Sequence, residues 1–319
     1  MRTVDLSRSR STTTALAVSF ALSLSCASDD GARAGAKDAA PAAPLPDRSA
    51  EEAQELVERS GMGQKLTAAS RVADFFVGNM RETAMRMGAD ADEDDAMLDR
   101  LTELALHSAG PAYASERTRA HVEEFMARAP EPVRAKALAH YRDARADRVA
   151  LVHAELASPA GQQRLSRFLA EVRSGALDPT KVIVIEGMLG ASREVDLTVA
   201  LAFDTSSSFL HALEPALPSA GREPRERLLL RREAFLSSAK RQLTMQLAYV
   251  YSVLDDEDLQ AEARFWASPE GRAFADLRVD AAAHAIARAE DEATARVLAA
   301  LETIERERPP PPAEPDLGA

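Results

Sequence analysis

Histidine and carboxylate side chains are the first to consider for chemistry, because imidazole and carboxylate groups bind metal ions. Glu103 and His107 are four residues apart, as are Asp280 and His284, so the members of each pair face one side of a helix. Two such pairs from different helices would supply four ligands. Pairs at this spacing are far more often ion pairs on a helix surface, and no histidine is part of a His-Glu-x-x-His motif. We therefore predict no metal site and no cofactor.

A serine and a lysine at the spacing of a known nucleophile motif are the second candidate. Ser237 and Lys240 match the Ser-x-x-Lys of penicillin-binding enzymes. The companion motifs Ser-Asp-Asn and Lys-Thr-Gly do not occur in the chain, and the pair falls within a long amphipathic helical pattern. We assign no catalytic residue. A periplasmic hydrolase or metal-dependent enzyme with an unrecognised site is the alternative to a binding function.

The single cysteine, Cys26, directly follows a short apolar segment. Arg2, Arg8 and Arg10 precede that segment, which is about half the length of a membrane-spanning helix. This order of positive charge, apolar residues and small residues is typical of a bacterial secretion signal. We assign the signal peptide to residues 1–25.

Cys26 is predicted to carry lipid. A lone thiol is exposed to oxidation in an exporting compartment, and acylation removes it. The protein would then lie at the periplasmic face of the bacterial outer membrane, with the lipid as its only membrane attachment. A second cleavage stays open, because an ordinary signal peptidase can cut after Ala27. That cleavage would give a soluble periplasmic protein.

The two ends of the mature chain are predicted to lack a fixed structure. Residues 26–50 are mainly Ala, Asp, Gly and Pro and have the composition of a flexible linker. Residues 306–319 include four consecutive prolines and are typical of a disordered tail. The net charge of the whole chain is −12, which opposes binding to nucleic acid and to anionic lipid headgroups.

The region between these ends has the pattern of an all-α protein. Its composition favours helix, and apolar residues recur every three or four positions. The one strand-like run, from Val182 to Ile185, follows an Asp-Pro helix start and is assigned to a buried helix. We predict no significant sheet. The clearest apolar stripe consists of Leu228, Phe235, Ala239, Leu243, Leu247, Val250 and Leu254.

Three further local patterns predict helix boundaries. Ser49 and Glu52 have the spacing of a capping box. Pro130 and Pro132 precede a helical pattern of about twenty-five residues. Residues 214–224 contain three prolines and a glycine and are predicted to form the main interior loop.

One short phrase, Ser-Pro-x-Gly, occurs twice, each time between two helical patterns. The serine can accept a hydrogen bond from a free amide of the new helix. Proline suits the first helical position, where its missing N–H is not needed. Glycine in the first turn lets the preceding helix approach closely. We predict that each copy is a sharp corner between antiparallel helices. The copies consist of Ser158, Pro159 and Gly161, and of Ser268, Pro269 and Gly271.

The second corner and the aromatic-rich helix before it, together with the segment 55–62, resemble an exported bacterial helical family. This family is known as domain of unknown function 2059, and its members often carry Ser-Pro-x-Gly after an aromatic residue. The resemblance implies a helical exported protein and brings no reaction, ligand or catalytic residue. With the repeated corner, it predicts two related antiparallel helical units, 51–175 and 178–305.

Aromatic residues gather near the second corner. Core packing explains them, and a ligand groove between helices is the alternative. The leading functional hypothesis is a binding or scaffolding protein of the cell envelope. Its apolar grooves between helices would contact another envelope protein or an apolar ligand. The candidate groove residues are Tyr249, Tyr251, Phe265 and Trp266.

Overall fold

The computed structural model describes residues 47–71, 103–156, 158–173 and 178–307. Within these ranges almost every residue is helical and none forms a strand, which confirms the all-α fold. The run from Val182 to Ile185 lies inside a helix. This helix starts as expected, because the Asp178 carboxylate accepts a hydrogen bond from the Thr180 amide at 2.8 Å.

The helices are named in chain order over the described ranges. In the first half of the chain they are α1 (Asp47–Arg59), α2 (62–71), α3 (103–109), α4 (Ser115–Ala127), α5 (Glu131–Tyr141), α6 (Ala144–Leu156) and α7 (Pro159–Arg173). In the second half they are α8 (Pro179–Ala191), α9 (Glu194–Val199), α10 (Thr205–Leu213), α11 (Pro218–Leu229), α12 (Arg232–Val250), α13 (Asp256–Ala267) and α14 (Pro269–Glu307).

Helix α14 runs through two separate apolar clusters. It has 39 residues, so it is about 58 Å long at 1.5 Å per residue. Phe274 and Ala281 belong to a larger cluster. Ala293 and Val297, further along the same helix, belong to a smaller cluster. The two clusters are therefore joined by one continuous helix.

The larger cluster takes residues from both predicted units. Ala53 of α1 and Met126 of α4 pack in the same cluster as Leu189 of α8 and Phe274 of α14. Helices α1 and α4 contact each other, and α4 also contacts α14. The described parts of 51–175 and 178–305 thus share one core. Their origin by duplication stays a prediction.

A π-helical turn, Ala200–Asp204, joins α9 to α10. Leu197, before the turn, packs in the larger cluster, whereas Phe209, after it, packs in the smaller one. In the smaller cluster the Tyr113 ring meets Phe209 edge-on, with 5.5 Å between ring centroids. The Tyr113 hydroxyl is 2.7 Å from the Ser208 hydroxyl. The turn therefore lies where this segment passes from one cluster to the other.

The two Ser-Pro-x-Gly segments have the same hydrogen bonds. At Ser158 and at Ser268, the hydroxyl accepts a hydrogen bond from the glycine amide three residues later at 3.0 Å. Each hydroxyl also donates to a carbonyl of the preceding helix at 2.7 Å, that of Glu155 or Phe265. Proline is the first residue of the following helix, α7 or α14.

The glycines of these corners are required by a close backbone approach. A Cβ atom on Gly161 would lie 1.9 Å from the Glu155 carbonyl oxygen, and one on Gly271 would lie 2.0 Å from the Phe265 carbonyl oxygen. Such distances are far shorter than any van der Waals contact. Any other residue would have to push the two helices apart.

The predicted long helix after Pro130 is wrong, because the structure divides it into α5 and α6. Helix α5 ends at Tyr141 and α6 begins at Ala144. Between them, the Asp143 carboxylate accepts a hydrogen bond from the Arg145 amide at 2.9 Å. Asp143 therefore starts a new helix where the apolar pattern alone showed no interruption.

The predicted capping box at Ser49 and Glu52 is also wrong, since α1 already begins at Asp47. Both side chains instead bind the buried Arg134. Its guanidinium donates to the Ser49 hydroxyl at 3.1 Å and to the Glu52 carboxylate at 3.1 Å. The spacing of Ser49 and Glu52 was thus mistaken for a capping box, whereas both side chains bind Arg134 on α5.

The loop predicted at residues 214–224 is wrong from Pro218 onward, where α11 begins. Pro218 occupies the first turn of this helix, where a missing backbone N–H has no cost. Pro218 therefore starts a helix, and Pro224 lies inside the same helix.

The ends of the described body differ slightly from the predicted boundaries. Helix α1 begins inside the predicted linker 26–50, and α14 extends to Glu307, inside the predicted tail 306–319. The predicted signal 1–25 and Cys26 lie outside the described residues. In the ranges that are described, none of the helices combines the length and hydrophobicity of a transmembrane span.

Candidate functional site

A group of polar residues lies inside the larger apolar cluster, and we call it the polar cluster. It consists of His140 from α5, Glu262 and Trp266 from α13, and Arg278 from α14. All four side chains are buried. Buried charged groups need partners, so the contacts of each residue show what the cluster can do.

The imidazole and the carboxylate of the polar cluster contact each other. His140 Nε2 lies 3.3 Å from Glu262 Oε1. The Trp266 indole N–H donates a hydrogen bond to the same oxygen at 2.9 Å. The Phe265 ring stacks on the imidazole with 3.7 Å between centroids and 3° between planes. Both polar groups are therefore paired and covered by aromatic rings.

Arg278 connects the polar cluster to the end of α8. Its guanidinium donates a hydrogen bond to the Ser192 carbonyl at 2.8 Å and lies 3.2 Å from the Glu194 carboxylate. It also lies over the Trp266 ring, 5.0 Å from the centroid. Lys65 of α2 forms a second ion pair with Glu194. Arg278 thus satisfies a helix C-terminus and balances a mostly buried carboxylate.

Two tyrosines border the polar cluster, and both stay protonated at neutral pH. Burial raises the pKa of Tyr141 to about 12, although the Arg278 charge acts in the opposite sense. Burial also raises the pKa of Tyr251 well above its usual range, and the Glu262 charge adds to this effect. The phenols can therefore donate hydrogen bonds but cannot act as bases near pH 7.

An imidazole in contact with a carboxylate is the usual pair for proton transfer. Here the rings of Phe265 and Trp266 cover the pair. The groups that surround the pair in the described structure are therefore those of the protein itself. A small cavity among the described residues lies elsewhere, beside Leu66, Tyr113 and Leu201, and measures about 10 Å³. That volume is at the lower limit for a single water molecule. The geometry supports a structural role for the polar cluster, which joins α5, α13 and α14.

The four candidate groove residues do not form one surface. Phe265 and Trp266 are buried in the larger cluster. Tyr251 is partly buried and packs against the larger cluster. Tyr249 packs separately against Phe168 of α7, with 5.4 Å between ring centroids. Packing between helices therefore accounts for the aromatic residues near the second corner.

The residues first considered for metal binding and nucleophilic chemistry lie apart from the polar cluster. His284 of α14 packs against Phe125 of α4, with 5.1 Å between ring centroids. Over the ranges that the structure describes, no three histidine, cysteine, aspartate or glutamate residues are placed to hold a metal ion. The exposed Ser237 hydroxyl donates to the Glu233 carbonyl of its own helix at 3.2 Å. This bond is typical of a serine inside a helix.

The sequence interpretation missed His140, Glu262 and Arg278. One signal was available: Glu262 precedes Trp266 by four residues, which places both on one face of α13. The chain has one tryptophan, and it lies on an apolar helix face. A carboxylate one helical turn away from it indicates a buried acceptor for the indole N–H. No comparable spacing connects His140 or Arg278 to this pair.

A second candidate site is the outer surface of α6. No residue of this helix is buried, although eight of its 13 residues are alanine, valine or leucine. The side chain of Leu151 is among the most exposed apolar groups of the described chain, at 68 %. Most helices of globular proteins bury such residues against a neighbour. Val149 packs against the larger cluster, whereas the part of α6 that carries Leu151 is available for contact.

The position of α6 is held by ion pairs at its N-terminal half. Arg148 pairs with Asp258 of α13, and Asp147 lies 3.4 Å from Arg59 of α1. Arg145 binds Asp143 at 2.8 Å. These contacts orient the helix and leave Leu151 directed outward.

No protein family, characterised protein or solved structure matches this chain in the comparisons with known proteins. The resemblance to the family with the Ser-Pro-x-Gly corner therefore stays a prediction.

Proposed function

We propose that the chain is an exported cell-envelope lipoprotein that acts by binding another envelope protein. Lipid on Cys26 holds it at the periplasmic face of the outer membrane, and the helical body provides the contact surface. The resemblance to an exported helical family supports the compartment. The surface of α6 supports the binding function.

The observation that carries the binding function is the exposed apolar surface of α6. An apolar helix face on a soluble protein is a common protein-binding surface. The neighbouring helix α7 has a leucine, Leu165, that is buried. By contrast, Leu151 of α6 remains outside the core. A rigid helix that offers leucine and alanine side chains suits a helical or extended segment of a partner.

The binding function is tested by Leu151→Asp. We expect this change to abolish co-purification of the partner from solubilised envelopes, because a carboxylate cannot enter an apolar contact without a large desolvation cost. The matched control is Leu298→Asp on α14, another exposed leucine. The same set of co-purified proteins with both variants would contradict a role for α6. Thermal unfolding shows whether both variants retain the fold.

The anchor is tested separately by Cys26→Ser. We expect the protein to move from the membrane fraction to the soluble fraction and to lose incorporation of labelled fatty acid. Ala27→Ser, next to the modified position, is the control and should remain lipidated. Fatty-acid labelling that persists after Cys26→Ser would rule out this residue as the anchor.

A further inference from the structure

The junction of α11 and α12 combines exposed leucines with arginines, and we call it the basic corner. It comprises Arg227, Leu229, Leu230 and Arg231. Leu229 is 44 % exposed and Leu230 is 86 % exposed. Leu230 is the most exposed large apolar residue of the described chain. Both arginines are exposed as well.

The charge around the basic corner is opposite to that of the protein. Residues 222–241 contain seven arginine and lysine residues and three glutamates, which gives this segment a charge of +4 (7 − 3). Two of its arginines, Arg225 and Arg232, pair with Glu214 and Asp204, which lie outside the segment. The net charge of the whole chain is −12, so the remaining residues carry −16 (−12 − 4). A positive segment in so acidic a chain is a distinct electrostatic feature.

Some of these arginines hold the corner in place, and others face solvent. Arg225 donates to the Ser207 hydroxyl at 3.2 Å and to the Glu214 carboxylate at 3.4 Å. Arg222 and Arg231 are exposed and form no ion pair within the described ranges. The nearby exposed positive groups of α12 are Lys240 and Arg241. The nearby acidic residues are Glu223, Glu226 and Glu233.

We propose that the basic corner docks on the surface of a membrane that contains anionic lipid. Leu229 and Leu230 would enter the headgroup region, and Arg222 and Arg231 would bind lipid phosphates. Because salt screens charge interactions beyond about 8 Å, the exposed arginines beside Leu229 and Leu230 act on the membrane more strongly than acidic residues farther away in the fold do. This contact would be a second membrane attachment, where the sequence predicted the lipid at Cys26 alone, and it would orient the tethered body.

The test uses the chain secreted with Cys26→Ser, so that lipid plays no part. We expect it to co-sediment with vesicles of phosphatidylglycerol and phosphatidylcholine in equal amounts, and not with vesicles of phosphatidylcholine alone. The change Leu229→Ser with Leu230→Ser should weaken this binding by about tenfold or more. The change Arg222→Glu with Arg231→Glu should weaken it at least as much. High salt should also release the protein.

The matched control is Leu298→Ser, which removes an exposed leucine from α14 and should leave vesicle binding unchanged. Leu230→Trp gives a second measurement: its fluorescence should shift to shorter wavelength on addition of anionic vesicles, and that of Leu298→Trp should not. Equal binding by the Leu229/Leu230 and Leu298 serine variants would overturn the proposal. The absence of binding to anionic vesicles would also overturn the proposal. That result would leave an acidic protein as the partner of the basic corner.

Discussion

Two buried arginines have the same role at the residue scale. Arg134 and Arg278 each bind backbone carbonyls at the end of an earlier helix, Ala127 at 3.3 Å and Ser192 at 2.8 Å. Each also pairs with a carboxylate from another part of the chain, Glu52 or Glu194. Their planar guanidinium groups reach several acceptors at once, which an ammonium group does not. These two residues therefore connect helices that the sequence pattern leaves separate.

Arg278→Met is expected to lower the free energy of unfolding by about 3 kcal/mol. The change leaves the Ser192 carbonyl unsatisfied and removes one of the two cations that pair with Glu194. Arg296→Met is the control, because Arg296 is partly exposed and pairs with Glu292 on its own helix; it should cost less than about 1 kcal/mol. Chemical denaturation measures both values. A loss for Arg278→Met as small as that of the control would show that the buried contacts contribute little.

Asp143 makes stability depend on pH in the acid range. The Arg145 guanidinium, followed by the Arg145 amide, lowers the pKa of Asp143 to about 2. The usual value of about 3.9 applies to the unfolded chain. The stabilisation is therefore complete above about pH 4 and is lost as pH falls toward about 2.

We expect Asp143→Asn to flatten the decrease of stability over this acid range, since asparagine can still cap α6 but does not titrate. Because the carboxylate is partly exposed, the effect should not exceed about 1 kcal/mol. Denaturation curves at a series of pH values provide the measurement. Parallel curves for the wild type and Asp143→Asn would contradict this assignment.

At the scale of elements, the two corners depend on their glycines. Gly271→Ala is expected to destabilise the protein by at least about 2 kcal/mol, because a Cβ atom would overlap the Phe265 carbonyl oxygen. Gly187→Ala is the control: this exposed glycine lies inside α8, and its Cβ would meet no atom within 4 Å. The control should gain about 0.5–1 kcal/mol from better helix propensity. Thermal or chemical unfolding of the two variants distinguishes the outcomes, and a neutral Gly271→Ala would contradict the close approach.

The sequence could predict helices and corners because the interactions that form them are local. Every contact of Ser268 in its corner is made within a few residues of the chain. The break at Asp143 was missed because aspartate also occurs on ordinary exposed helix faces. Ser49 and Glu52 were misread because their partner, Arg134, lies on another helix. The polar cluster was missed for the same reason, since only tertiary packing brings His140 to Glu262.

For the whole molecule, α14 makes the two apolar clusters dependent on each other. Phe209→Ala, in the smaller cluster, is expected to cost about 3–5 kcal/mol. Trp266 is the only tryptophan and lies in the larger cluster. The fluorescence of Trp266 should report the full loss of unfolding free energy, because unfolding of the smaller cluster would release α14, which both clusters share.

The control for this coupling is far-UV circular dichroism of the same Phe209→Ala variant, which reports all helices together. Coincident fluorescence and dichroism transitions indicate one cooperative unit. If the tryptophan transition stayed at its wild-type midpoint while the dichroism split into two steps, the clusters would be independent.

The π-helical turn Ala200–Asp204 accommodates one extra residue in the rod that leads to Phe209. A π-turn rotates less per residue than a regular α-helix, which rotates by about 100° per residue, so the extra residue is absorbed without changing the direction in which the next segment faces. Deleting one residue within the turn should therefore restore a regular helix and leave Phe209 facing Tyr113. A deletion in α10 just before Phe209 would instead swing the ring by about 100°, so a relative can lack one residue inside this turn but not directly after it.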